Sequence, residues 1–125
     1  MTADQLTVSH VVVGVGMSSR ATRDEILALV TATLAHAGHN FPPGTIATRS
    51  HFVGDPRLDL GCPIVAFDDQ LLVDRSPPLD RRAGLPARVA ETAAALAARI
   101  DVADVGPTAR SAHVAVAVAV AEEQR

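Results

Sequence analysis

Val114-Ala115-Val116-Ala117-Val118-Ala119-Val120, close to the end of the chain, decides the fold class. Successive side chains of a strand point to opposite faces, so this alternation sets branched Val on one face and small Ala on the other. Neither face carries a charge, and both are therefore expected to be buried in a sheet covered on two sides. The Ala face leaves room for a helix to approach closely.

Working outward, Val11-Val12-Val13-Gly14-Val15-Gly16 is a continuous β-branched run ending in glycines and reads as the first central strand. Thr22-Arg23-Asp24-Glu25 has the form of a capping box, with Thr22 accepting from the Glu25 amide while the Glu25 carboxylate reaches back. The helix it opens carries Ile26, Leu27, Leu29, Val30, Thr33, Leu34 and Ala37 at helical spacing, and Gly38 supplies its stop. Phe41-Pro42-Pro43-Gly44 is a turn, Thr45 to Thr48 a short strand, Asp55-Pro56 a brief turn, and Pro63 to Phe67 a second short buried strand. Asp68-Asp69 caps a turn or short helix containing Leu71 and Leu72, and Asp74 to Gly84 reads as an exposed loop. Pro86 suits a first helical turn, and Val89, Thr92, Ala93, Leu96, Ala97 and Ile100 form the expected core stripe of a second long helix. The expectation is an α/β protein: a single three-layer α/β/α domain over residues 1–125, core about 8–121, with a mostly parallel central sheet.

Composition narrows the function. The eleven basic residues are all Arg, so a lysine Schiff base and a P-loop lysine are both excluded. A net charge of -3 and three Phe as the whole aromatic complement argue against nucleic acid and against an anionic membrane surface as partners. Cys62 is the one cysteine, which rules out an intramolecular disulfide. The Val11–Val15 run is too short for a signal segment or a membrane span, and a cytoplasmic location is the expectation.

Two stretches are candidate binding elements. Gly14-Val15-Gly16-Met17-Ser18-Ser19-Arg20 joins a buried strand to a capped helix, where backbone amides favour an anion and Arg20 can add a bidentate contact. A complete dinucleotide fingerprint fails because Ser19 occupies the third glycine position, and a plain glycine turn remains the other reading. The second stretch runs from Gly84 to Glu91: Arg88 in a first helical turn is placed against the helix dipole, which a bound carboxylate would explain, as would an Arg88–Glu91 surface pair. His36, His39, His51 and His113 have no metal-ligand spacing, so no metal is assigned. Ser18, Ser19, Ser50, Ser76 and Cys62 sit in no nucleophile motif, and Asp68-Asp69 reads as turn chemistry, so the catalytic residues stay unassigned.

The order of Val11–Gly16, the capped helix, Gly84-Leu85-Pro86-Ala87-Arg88-Val89-Ala90-Glu91-Thr92-Ala93-Ala94-Ala95-Leu96 and the terminal Val114–Ala119 strand resembles the CobE and CbiG C-terminal family of cobalamin biosynthesis. The resemblance implies an α/β/α domain that binds or presents a carboxylated corrin-ring intermediate. It implies no covalently bound cofactor, a corrinoid or precorrin intermediate as ligand and partner, and room for other cobalamin-biosynthesis enzymes as partners. Gly14 and Gly16 match the family's first loop, and Gly84, Val89, Ala90 and Glu91 match its helix opening. Ser18, Ser19, Arg20, Arg49 and Arg88 complete the expected ligand set, the arginines as carboxylate partners. Phe52 stands where the family usually has Lys, and Asp55 where it usually has Glu. Two alternatives accompany this reading: a subunit or stand-alone form of a cobalt-precorrin-5A lactone hydrolase, and a protein-interaction module without ligand.

Overall fold

The structure is a computed structural model that describes residues 7–75 and 89–124. The elements run β1 (Thr7–Met17), α1 (Arg23–His36), β2 (Thr45–Arg49), 3-10 turns at Ser50–Phe52 and Pro56–Leu58, β3 (Ile64–Phe67), α2 (Asp69–Arg75), α3 (Val89–Ala98), a 3-10 turn at Val102–Asp104, β4 (Thr108–Arg110) and β5 (Val114–Gln124). One five-stranded sheet collects the strands in the order β3-β2-β1-β5-β4.

β1 pairs in parallel with β2, and β2 with β3. β5 returns antiparallel to β1 over eleven residue pairs, and β4 lies antiparallel to β5. The α/β class stands, but the sheet is mixed: two of its four pairings are antiparallel, which corrects the mostly parallel expectation. The reason is the tight Ser111–His113 connection, which turns β4 straight back into β5 where a parallel neighbour would need a long crossover.

The Val/Ala alternation of β5 divides the core as its period requires. Val114, Val116 and Val118 join Val13, Val15, Ile26, Val30 and Leu34 beneath α1, while Ala117 and Ala119 join Val12, Ala47, Ala90, Ala93 and Ala94 beneath α3. Both faces of the central strands are buried. Gly14 lies in the α3 layer, where a Cβ would come within 1.8 Å of the Ala90 carbonyl oxygen, so the backbones of sheet and helix meet with no side chain between them.

That close approach also sets what α3 buries. The sequence stripe is kept and widened: Thr92 and Ala93 are buried, Val89, Leu96, Ala97 and Ile100 pack half-buried against the same core, and Ala90, Ala94, Ala95 and Ala98 are buried besides. Only small side chains fit against Gly14 and Ala117, so the helix presents its alanines to the sheet and sends its one Leu to the flank.

Helix α1 follows its sequence signals with one change. Thr22 caps it, its Oγ accepting from the Glu25 amide at 3.1 Å. Gly38, at φ 84°, stops it, with the His39 amide donating to the Leu34 carbonyl at 2.8 Å. The reciprocal half of the capping box is missing because the Glu25 carboxylate is engaged elsewhere, in the hairpin described below.

Candidate functional site

The first loop does not hold its amides open. Gly14 and Gly16 belong to β1, which runs on to Met17. In the Ser18–Ala21 turn, the Ser18 amide donates to the His113 carbonyl at 2.9 Å, the Ala21 amide to the Ser18 carbonyl at 3.1 Å, and the Arg20 amide to the Ser18 hydroxyl at 3.3 Å. The turn is pinned from its other side by Arg57, whose guanidinium donates to the carbonyls of Ser18 at 3.2 Å and Ala21 at 3.1 Å.

Sequence reasoning missed Arg57, because its partners lie nearly forty positions upstream and only the 3-10 turn at Pro56–Leu58 brings it there. Asp55 holds it in turn through a 2.7 Å ion pair, and the Arg57 side chain, then its amide, keep the Asp55 carboxyl below the usual carboxylate range. A carboxylate whose folded pKa is lowered contributes stability above its unfolded value, near 4, and loses it as pH falls through the folded value. Stability against urea is therefore expected to decline below about pH 4, and Asp55→Asn is expected to flatten that decline; an unaltered acid limb would remove the pair from the account.

The other arginines divide sharply. Arg49, read as a ligand contact, makes a bidentate pair with Asp69 at 2.8 Å and 2.8 Å and lies 5.7 Å from the Phe52 ring centroid, so its guanidinium is already engaged. Phe52, in the position where the resemblance sets Lys, is buried in the α1 core and offers no anion contact. Arg20 and Ser19 are exposed on the turn. Gly84 and Arg88 lie outside the described residues, as does most of the Asp74–Gly84 stretch, whose first two residues close α2.

Three of the sequence candidates come together. Gly16, Ser18 and Glu91 line an open cleft of about 260 Å³ whose other wall is the β4–β5 hairpin, with Arg110, Ser111 and His113. The hairpin residues carried no local sequence signal as a binding element; their relevance depends on the β5–β1 pairing, which sets Val114 opposite Met17. Glu25 fastens this hairpin from α1: its carboxylate accepts from the Ser111 hydroxyl and from the His113 amide, the latter at 3.0 Å. The Ser111 hydrogen bond, ahead of the His113 amide, holds the Glu25 carboxyl below its ordinary range.

The cleft lies at the carboxyl end of β1, between β1 and β5. The chain fills the sheet to one side of β1 with β2 and β3 and to the other with β5 and β4, so the cleft sits where the carboxyl end of β1 meets the amino end of the antiparallel β5. A larger cavity of about 370 Å³ lies at the far end of α3, beside Thr92, Arg99 and Asp101, and includes none of the residues singled out in the sequence. Burial pushes the Cys62 thiol up, away from the reactive thiolate form. Among the described residues no group of three His, Cys, Asp or Glu side chains is arranged to hold a metal, and no helix is long and apolar enough to cross a membrane.

A mixed five-stranded sheet with helices against both faces and a cleft at the end of β1 defines a small α/β architecture. Among solved structures, that of CobE, a protein from the cobalamin (vitamin B12) biosynthetic pathway, is similar to it at a TM-score of 0.74 and 21% identity, covering 90% of this chain and 93% of that one. The fold is thus the CobE fold. No family model and no curated protein matches the chain.

Proposed function

We propose that the protein serves in cobalamin biosynthesis by holding or presenting a carboxylated corrin-ring intermediate at the strand-end cleft, in the cytoplasm. The observation that carries this reading is the CobE-like fold with its cleft at the end of β1, lined by Gly16, Ser18, Glu91 and the hairpin. Sites that enclose a whole drug-sized ligand run from about 300 to 1,000 Å³. A cleft of about 260 Å³ is too small for a macrocycle and fits one peripheral carboxylate arm, with the ring lying outside.

Such a grip suits presentation to another enzyme better than hydrolysis. Glu25 is the carboxylate nearest a hydroxyl in the cleft, yet its lowered pKa makes it a weak base, and it is committed to the hairpin as a clamp. Titration with cobyrinic acid, a corrinoid with free peripheral carboxylates, followed by absorbance, is expected to give saturable binding, with weaker binding of amidated cobinamide. An absence of binding would sink the reading. Release of acetaldehyde from a lactone-bearing intermediate by the protein alone would replace it with the hydrolase.

A further inference from the structure

The β4–β5 hairpin is built as a recognition element. We infer that Arg110 is the residue that selects a free carboxylate at this cleft, and that Glu25 is a positioning residue that holds the hairpin where Arg110 can do so. The inference rests on the proposed function above and adds the chemistry of its specificity.

Three observations converge on Arg110. It lines the cleft from the last position of β4, directly across the sheet from Ala115, the second residue of β5. It has no carboxylate partner among the described residues, in contrast to Arg49, bound to Asp69, and Arg57, bound to Asp55. It is exposed, so pairing with a ligand carboxylate would not first require an internal ion pair to break. A guanidinium presents a planar fork of donors that matches both oxygens of a carboxylate, whereas a carboxamide offers it one acceptor and no charge. Glu91 lines the same cleft from α3.

The position of Arg110 depends on a three-residue connection, Ser111-Ala112-His113, at the edge of the sheet. An exposed edge hairpin is mobile unless tied down. Here α1 supplies the tie: one carboxylate oxygen of Glu25 accepts from both the Ser111 hydroxyl and the His113 amide, and the His113 carbonyl in turn accepts from the Ser18 amide at the cleft floor. The clamp spans 86 positions of sequence between Glu25 and Ser111. It links the first helix to the recognition turn without touching the ligand.

The test is a titration of the full chain with cobyrinic acid, comparing wild type with Arg110→Ala, Arg110→Lys, Glu25→Ala, Glu25→Gln and, as a control of equal charge change, Arg99→Gln at the other end of α3. Arg110→Ala is expected to weaken binding by about tenfold or more, from the loss of a charge-assisted bidentate contact. It is also expected to erase the preference for cobyrinic acid over cobinamide. Arg110→Lys should recover affinity only in part, because a point charge lacks the fork, and Arg99→Gln should bind as wild type does. Glu25→Ala should weaken binding, while Glu25→Gln, which keeps an acceptor for both hairpin donors, should restore most of it. Wild-type binding with Arg110→Ala indistinguishable from it would overturn the inference and leave the proposed function standing. A wild-type protein that does not bind cobyrinic acid removes both.

Discussion

Gly14→Ala is expected to destabilise the protein by about 3 kcal/mol, at the upper end of what overpacking a well-filled core costs. The added Cβ would lie 1.8 Å from the Ala90 carbonyl oxygen, 2.8 Å from its carbon and 3.0 Å from the Ala94 Cβ. The first two obstacles are backbone, which no rotamer change can move, so α3 must lift off the sheet or β1 must bend. Elsewhere in a strand the same change usually helps, because Gly loses more conformational freedom on folding than Ala. The sign is therefore diagnostic. Gly16→Ala supplies the internal control: its nearest neighbour is the Val89 Cβ at 3.4 Å, and a change within about 0.5 kcal/mol is expected. Urea unfolding of the two variants measures both, and a Gly14→Ala midpoint equal to wild type would mean that the helix does not rest on this glycine.

Leu58→Ala is expected to cost a further large amount, about 3 kcal/mol within the usual range for truncating a buried Leu. Leu58 is fully buried although it belongs to a single 3-10 turn, and it packs with Ile26, Val30, Phe52 and Leu60 on the α1 side. This turn anchors Arg57 as well, and through it the Ser18–Ala21 turn beside the cleft. Loss of Leu58 should therefore lower the urea midpoint and also loosen the first loop, read as faster amide exchange at Ala21. Wild-type stability in this variant would show that the segment contributes little to the core.

The contrast between these two positions marks what could be read from the chain beforehand. Val114–Val120 and Val11–Gly16 were legible as central strands because period and composition are local properties. The start and stop of α1 were legible for the same reason, since Thr22 and Gly38 act within a few residues of themselves. Leu58 was not, because a turn of three residues has no period from which its burial can be inferred. Nor was β4, whose Thr108-Ala109-Arg110 has no strand signature and becomes a strand by pairing with Ala115–Ala117.

The candidate site divides along the same line. Gly16, Ser18 and Glu91 were found from turn and helix-entry signals and do meet in the cleft. Arg110, Ser111 and His113, which share that cleft, carried no such signal, and Arg49, expected as a partner for a ligand carboxylate, is paired with Asp69. Charge type is written in the sequence, but whether a guanidinium is already paired depends on which carboxylate the fold carries to it.

By itself, then, the sequence determined an α/β protein with two-sided burial, an Ala face against one helix, a capped first helix, and chemistry limited to arginine for its cations. Tertiary structure alone decided that β5 enters antiparallel beside β1, that α3 turns its alanines onto Gly14, and that Glu25 leaves its capping box for the hairpin. The physical reason is range: propensity, period and capping act over a few residues, whereas pairing direction, close approach and ion-pair choice are settled between groups far apart in the chain, as with Met17 and Val114 or Glu25 and His113.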